Sequence, residues 1–294
     1  DARAYKISFF CIYRVVYSFW STLSSMISIN LTTTKSRLYL CSQTVWSLAN
    51  QSTKVDQIVV WVSSTPYLSD EGITEEPAWA EKIRQTGTHL VFKWVKNTGP
   101  YRKLFPALQV AAEDDILIYA DDDAIYNEIW AETLLDDFYR HNQEYVVAAR
   151  VRKTVKKKKE LLDTYRNFPL ITVPKVVERD YIITGLGGVV LKKKMIPEYF
   201  HFNEDFLTVC PRADDIWISK LIQLTKTPVY VSAQSIRFVH EIIHDYGLSR
   251  DNTSKIKRSL LQKIRFTFKP GQIHYLCQND VYIKDTDSYF ESCA

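Results

Sequence analysis

Few residues in this chain could tie it together covalently. Among its 294 residues are five cysteines, Cys11, Cys41, Cys210, Cys277 and Cys293. They are odd in number, irregularly spaced and form no C-x-x-C pair. That leaves no readable disulfide framework or zinc site and makes a reducing compartment the simpler expectation. No internal repeat is present. Uninterrupted apolar runs are missing too. From Ile7 to Asn30 the only charge is Arg14, amid Phe9, Phe10, Tyr13, Val15, Val16, Tyr17, Phe19 and Trp20. Serines interrupt this segment too often for a membrane span, and it shows no small-residue cleavage site of a signal peptide. It reads as an aromatic helix docked on the protein or as an interfacial helix at a membrane. A net charge of +4 is too small to imply nucleic acid, and the length allows one large or two small domains.

What the chain does have is a short apolar strand ending in three acids, Asp115-Ile116-Leu117-Ile118-Tyr119-Ala120-Asp121-Asp122-Asp123. Adjacent anions repel unless something positive sits among them. The carboxyl end of a strand in an open α/β sheet is where ligands bind, and hard oxygen donors there suit Mg²⁺ or Mn²⁺ gripping a phosphate. The alternative is an acidic turn capping a helix that starts near Asn127.

Around this stretch, strands and helices alternate. Met26 to Leu31 predicts a strand, and Thr32-Thr33-Thr34-Lys35-Ser36-Arg37 after it reads either as a nucleotide contact or as a helix N-cap. Leu38 to Ala49 has helical spacing, Gln57 to Ser63 reads as a strand and Ser64 to Pro77 as a loop. Trp79 to Thr86 reads as a helix and His89 to Val95 as a strand. Asn97-Thr98-Gly99-Pro100-Tyr101-Arg102-Lys103 then opens a helix ending near Ala112. A ring and two cations there suit a base and a diphosphate, or make a basic surface turn. Glu128 to His141 predicts an amphipathic helix and Glu144 to Ala149 a strand. Four such alternations are the signature of βαβ units and a doubly wound parallel sheet.

Beyond Ala149 the pattern breaks. Arg150, Arg152, Lys153 and Lys156 to Lys159 form a basic tract, either a solvated loop or a contact for an anionic acceptor or lipid surface. Gly185-Leu186-Gly187-Gly188 leads into a strand, as a bulge or a close approach to a ligand. Asp214 and Asp215 open a helix to about Leu224. They either stabilise its N-terminus or supply a general base. Val229 to Ser232 predicts a late strand, and His240 and His244 beyond it are candidate nitrogen ligands. From Lys255 to Lys269, six cations alternate with Leu260, Leu261, Ile264, Phe266 and Phe268. That run suits an anionic membrane face, or a helix packed on the domain with a solvated basic side.

These residues resemble the nucleotide-sugar-dependent glycosyltransferases of GT-A fold, and among them the family-2-like bacterial enzymes of surface-polysaccharide synthesis. The resemblance spans about residues 26 to 232. It rests on Leu31-Thr32-Thr33, Gly99-Pro100-Tyr101-Arg102-Lys103-Leu104, Asp121-Asp122-Asp123, Gly185-Leu186-Gly187-Gly188 and Ala213-Asp214-Asp215-Ile216-Trp217. It implies an α/β, Rossmann-like, mostly parallel twisted sheet flanked by helices, with extra N- and C-terminal helical segments. The implied divisions are an N-terminal segment 1–25, a catalytic domain 26–245 (nucleotide half 26–123, acceptor half 124–245) and a basic extension 246–294. The resemblance further implies Mn²⁺ or Mg²⁺ on Asp123 with help from Asp121, and a nucleotide-diphosphate sugar, a UDP-sugar favoured, as donor. Thr32, Thr33, Thr34, Arg37, Lys103, Asp121 and Asp122 would line the donor pocket, with Gly187, Gly188 and Trp217 along sugar and acceptor. Asp215, or failing it Asp214, would be the base of an inverting displacement onto a glycan or lipid-linked acceptor. The implied location is cytoplasmic, peripheral on the inner membrane face, with no nucleic-acid partner. The basic tract Arg150 to Lys159 is not a family feature. Two other readings stay open. Asp121-x-Asp123 also resembles a haloacid-dehalogenase phosphohydrolase motif, although Ile125 stands where Thr or Val is usual and three strands precede it. A non-catalytic membrane-surface binding protein is the other.

Overall fold

The computed structural model describes residues 25–156, 162–244, 252–255 and 276–292. The aromatic segment 1–24, Lys157 to Lys159 and the basic run from Lys257 to Lys269 lie outside the described residues.

The first half is a run of βα units. Strands β1 (Ile27–Thr32), β2 (Gln57–Val62), β3 (Leu90–Trp94) and β4 (Ile116–Tyr119) alternate with helices α1 (Leu38–Ala49), α2 (Trp79–Arg84) and α3 (Phe105–Val110). The strands pair in parallel in the order β3-β2-β1-β4. In β2 every residue from Ile58 to Val62 is buried, as a strand covered on both faces requires. On α1, Cys41, Val45 and Leu48 recur at helical spacing and are buried, while Tyr39 and Trp46 stay exposed. Each such buried aliphatic side chain contributes about 1.5–3 kcal/mol.

The second half comprises β5 (Ala124–Tyr126), α4 (Trp130–Arg140), β6 (Val146–Ala148), β7 (Val151–Lys153), β8 (Lys175–Val177), β9 (Tyr181–Ile183) and β10 (Val189–Lys192). It continues with α5 (Phe206–Val209), α6 (Asp214–Leu224), β11 (Val229–Val231), β12 (Val239–Glu241) and α7 (Gln278–Ser292). One eight-stranded sheet joins both halves in the order β3-β2-β1-β4-β10-β6-β11-β8. Strand β10 runs antiparallel between β4 and β6, β11 is parallel to β6, and β8 is an antiparallel edge. Strands β5 and β12, and β7 and β9, form two small antiparallel pairs. The mostly parallel α/β sheet flanked by helices that the sequence implies is therefore present. It departs from uniform parallel winding where β10 and β8 reverse. The far end of the chain folds back onto it. Helix α7 packs Phe290 and Tyr289 against Trp217 of α6, with ring centroids 4.9 and 5.2 Å apart, and Asp287 pairs with Lys220 at 2.6 Å.

The turn into β10 needs its glycines. Gly187 and Gly188 have φ of +102° and +92°, a left-handed conformation that side-chain-bearing residues rarely adopt. A Cβ on Gly188 would lie 2.3 Å from the Trp130 ring, and the Trp130 indole donates a 2.6 Å hydrogen bond to the Gly187 carbonyl. Trp130 is fully buried and cannot retreat. We therefore expect Gly188→Ala to lower unfolding free energy by about 2–4 kcal/mol, from overpacking and backbone strain together. Urea denaturation giving less than about 1 kcal/mol of loss would contradict this packing account.

Candidate active site

Three loops at the carboxyl ends of the parallel strands converge. Thr32 ends β1 with Thr33 and Thr34 just after it, Asp121 to Asp123 follow β4, and Gly99 to Lys103 precede α3. With the start of α6 they line a cleft of about 390 Å³, a volume in the range of small-ligand sites.

The wall after β1 rests on a buried ion pair. Arg102, 1% exposed, donates to Asp70 at 2.9 Å and to the carbonyls of Thr33 and Gly99, both at 3.2 Å. Asp70 also accepts from Asn97 at 3.2 Å and from the Gly72 amide at 3.1 Å. A charge buried this deeply is tolerable when paired and hydrogen-bonded, as Arg102 is through Nε and one terminal nitrogen. Arg102 thus clamps the β1 loop to the loop from Ser64 to Pro77.

Lys103 joins the two halves of the molecule. Its ammonium group lies 2.8 Å from Asp121 and 2.9 Å from Asp214. Burial works against its charge, but Asp121, Asp214 and Asp215 outweigh it, and Lys103 is held protonated well above its usual range. Gly185 sits at the junction. A Cβ there would lie 2.4 Å from the Lys103 ammonium, 3.0 Å from Asp121 and 3.3 Å from Asp215. The Gly185 amide donates to Asp215 at 2.8 Å. The acid pair does not cap α6, whose N-cap Ala213 makes no side-chain bond. Instead Asp214 holds Lys103 and Asp215 faces the cleft. Burial first, then the Asp214 charge, push the Asp215 carboxyl up to about 8, against the opposing pull of Lys103.

Arg37 follows the threonines. Its guanidinium bonds Asp122 and lies 2.7 Å from Asp123. Asp122 is buried, and burial, with Asp123 nearby, pushes its carboxyl up to about 6 despite Arg37. The imidazole of His244 lies 2.8 Å from Asp123. Among the described residues no three His, Cys, Asp or Glu side chains are grouped to hold a metal by themselves. Asp123 and His244 do place one oxygen and one nitrogen donor together. A small divalent ion that takes its remaining ligands from substrate phosphates and water needs little more.

Several expected roles change. Trp217 is 0% exposed and packed edge-on or tilted among Phe200, Phe206, Tyr289 and Phe290, so it belongs to the core and cannot touch an acceptor. Gly187 and Gly188 seat Ala149, Ile236 and Trp130 and are not among the cleft-lining residues. Tyr101 is buried against Phe206, its hydroxyl bonded to the Cys210 carbonyl at 2.5 Å, so it offers no face to a base. Arg102 is spent on Asp70. His240 is exposed on β12 opposite Ile125 and does not line the cleft. The Asp121 carboxylate is held by Lys103 rather than standing beside Asp123 as a second metal donor. Asp70, Tyr67 and Tyr165 also line the cleft, and the sequence singled out none of them. Only Gly72, two residues from Asp70 in a turn-rich loop, hinted at a built structure there.

The raised carboxyl at Asp215 carries a stability consequence. In the unfolded chain it would ionise near pH 4, so between about pH 4 and pH 8 the folded protein holds the extra proton. Wild-type stability therefore falls as pH rises through that window. Asp215→Asn keeps an oxygen for the Gly185 amide and has no proton to lose. Its melting temperature relative to wild type should rise between about pH 5 and about pH 9. A constant difference across that range would contradict the raised carboxyl.

No family model matches the chain, and no curated protein matches it. Among solved structures it is similar to S. aureus TarS at 16% identity and a TM-score of 0.44, covering 70% of this chain and 35% of that one. It is also similar to TarS residues 1–349 in complex with UDP-GlcNAc, at 13% identity and a TM-score of 0.48, covering 78% of this chain and 62% of that one. The chain thus spans less than two thirds of the length of the solved structures it matches.

Proposed function

We propose that the chain is a glycosyltransferase that moves a sugar from a nucleotide-diphosphate donor, a UDP-sugar, to a hydroxyl of a glycan or lipid-linked acceptor, with inversion. The observation that carries this reading is the joining, through Lys103, of the acid cluster after β4 to the acid pair opening α6 within one cleft. The donor would lie along Thr32 to Thr34 and Arg37. Asp123 and His244 would hold Mn²⁺ or Mg²⁺, which when bound neutralises the departing diphosphate. Arg37, now paired to Asp122 and Asp123, is placed to exchange one of these carboxylates for a phosphate oxygen as the donor arrives. Asp215, fixed by the Gly185 amide, would take the proton of the accepting hydroxyl. A carboxyl raised to about 8 is a stronger base than an ordinary carboxylate, and its ionised form, the one that takes the proton, grows as pH rises towards that value. Lys103 holds Asp214 and Asp121 in place.

Two variants should separate binding from chemistry. Asp123→Ala should abolish the Mn²⁺-dependent part of UDP binding in calorimetry. Asp215→Asn should bind UDP as wild type does and lower kcat by roughly 10²–10⁴-fold with little change in KM. Undiminished metal-dependent binding by the first, or near-normal turnover by the second, would each remove the corresponding role.

Among the described residues no helix is long and apolar enough to cross a membrane. The basic, aromatic run from Lys255 to Lys269 supports peripheral attachment to the cytoplasmic membrane face. The protein should pellet with anionic vesicles and be released as salt rises, each basic residue contributing on the order of 1 kcal/mol. Equal pelleting with neutral vesicles would rule this attachment out.

A further inference from the structure

Five carboxylates on the cleft lining have a basic partner, while Asp215 is held by the Gly185 amide instead. Asp70 has Arg102, Asp121 and Asp214 share Lys103, and Asp122 and Asp123 share Arg37. Elsewhere on the lining the balance reverses. Arg150 and Arg152 both line the cleft, and among the described residues neither is paired with a carboxylate. They flank Val151, which is buried, so alternation along the strand turns both arginines to the side opposite Val151. Arg152 is fixed in place. It donates to the Phe168 carbonyl at 2.7 Å and its guanidinium stands 5.2 Å above the centre of the Tyr165 ring. Arg150 is tied to the site through its backbone. Its carbonyl accepts from the Thr184 amide at 3.0 Å, and the next residue is Gly185, whose amide holds Asp215. Tyr165 marks the same neighbourhood. Its hydroxyl is pushed up to about 12 by burial and the Asp215 charge, with Arg152 and Arg150 pulling the other way.

Two half-buried guanidinium groups on the lining that also holds the proposed base, neither paired with a carboxylate, have donors to offer an anion, and a neutral glycan brings none. Their rigid forks suit the oxygens of phosphate or carboxylate. We propose that Arg150 and Arg152 form a subsite for an anionic group, a phosphate or a carboxylate, carried by the acceptor close to the hydroxyl that Asp215 deprotonates. This rests on the transferase reading and narrows its acceptor to an anionic polymer or lipid-linked precursor. It also gives the start of the basic tract, which stands outside the family pattern, a defined task. Arg212, two residues before Asp214, lies on the same lining and adds to the positive field.

The test is calorimetry on the full chain, saturated with UDP and Mn²⁺, for wild type and the Arg150→Gln/Arg152→Gln double variant. The probes are glycerol phosphate, glucuronate and, as neutral control, glycerol. We expect at least one anion to bind wild type and to bind the variant about tenfold more weakly or worse, as loss of charge-assisted bonds implies. Glycerol should bind neither, and UDP affinity should be unchanged. The stronger of the two anions tells phosphate from carboxylate. Equal anion binding by both proteins overturns the proposal, as does the absence of anion binding to wild type. Loss of UDP affinity in the variant also overturns it, because the arginines would then serve the donor. If UDP does not bind wild type, the transferase reading falls separately, and the same anion titration without UDP still reads the arginine site. Should the double variant fail to fold, Arg150→Gln alone, which removes no side-chain bond among the described residues, reads the same difference.

Discussion

A single buried ammonium group holds the two halves of this molecule to one another where the chemistry would occur. Lys103 comes from the loop before α3, Asp121 from the end of β4 and Asp214 from the first turn of α6. Without the lysine, three carboxylates would face one another in a confined space, and removing one partner of such a buried arrangement typically costs about 3–5 kcal/mol. With it, each acid has a fixed orientation and a distinct environment. Asp214 is neutralised by contact, while Asp215, one residue on, is left with a raised proton affinity and a view of the cleft. Two neighbouring acids are thus given different tasks by their surroundings alone. The constraint reaches further, since a side chain at position 185 would displace that ammonium group from its acids.

The same economy governs the other cations. Arg102 is sealed into the wall and does structural work, whereas Arg37 bridges two acids at the edge of solvent. Sequence treats them alike, as basic residues near presumed phosphate sites. Burial and bonding separate them: Arg102 is 1% exposed and tied to Asp70 and two carbonyls, whereas Arg37 bridges two carboxylates it can trade for a ligand's oxygens.

Much of the frame was legible in the chain. The helix Leu38–Ala49 and the opening of α6 at Asp214 fall where apolar spacing and acidic residues place them, and the first four strands end within about a residue of their expected limits. The short strands β5, β7, β8, β9 and β12 were not, because three residues carry little pattern and, unlike β6 and β11, these do not lie in an apolar run between expected helix and turn signals. Misplaced residues share one cause. Trp217 and Tyr101 stand next to charged site residues in sequence, but neighbours along a helix or a tight turn point in different directions, and the large rings turned inward. The pairings that build the site, Lys103 with Asp214, Arg102 with Asp70 and Arg37 with Asp122, join distant segments and leave no local trace. Gly187 and Gly188 were recognised as special, but the reason is an indole ring contributed by another helix.

Strand β10 lies between β4 and β6 in space yet follows β6, β7, β8 and β9 in the chain. The sheet therefore cannot zip up in order of synthesis. When β4 leaves the ribosome, one of its edges is satisfied by β1 and the other has no partner until residues near 190 emerge. For that interval the wholly buried strand Ile116–Tyr119 presents an open row of amides and carbonyls, the kind of edge on which nascent chains aggregate. Acids stand at both ends of that edge, Glu113 to Asp115 before the strand and Asp121 to Asp123 after it. A sequence read as a catalytic signature is thus also a run of negative charge at the point where the growing chain is least protected.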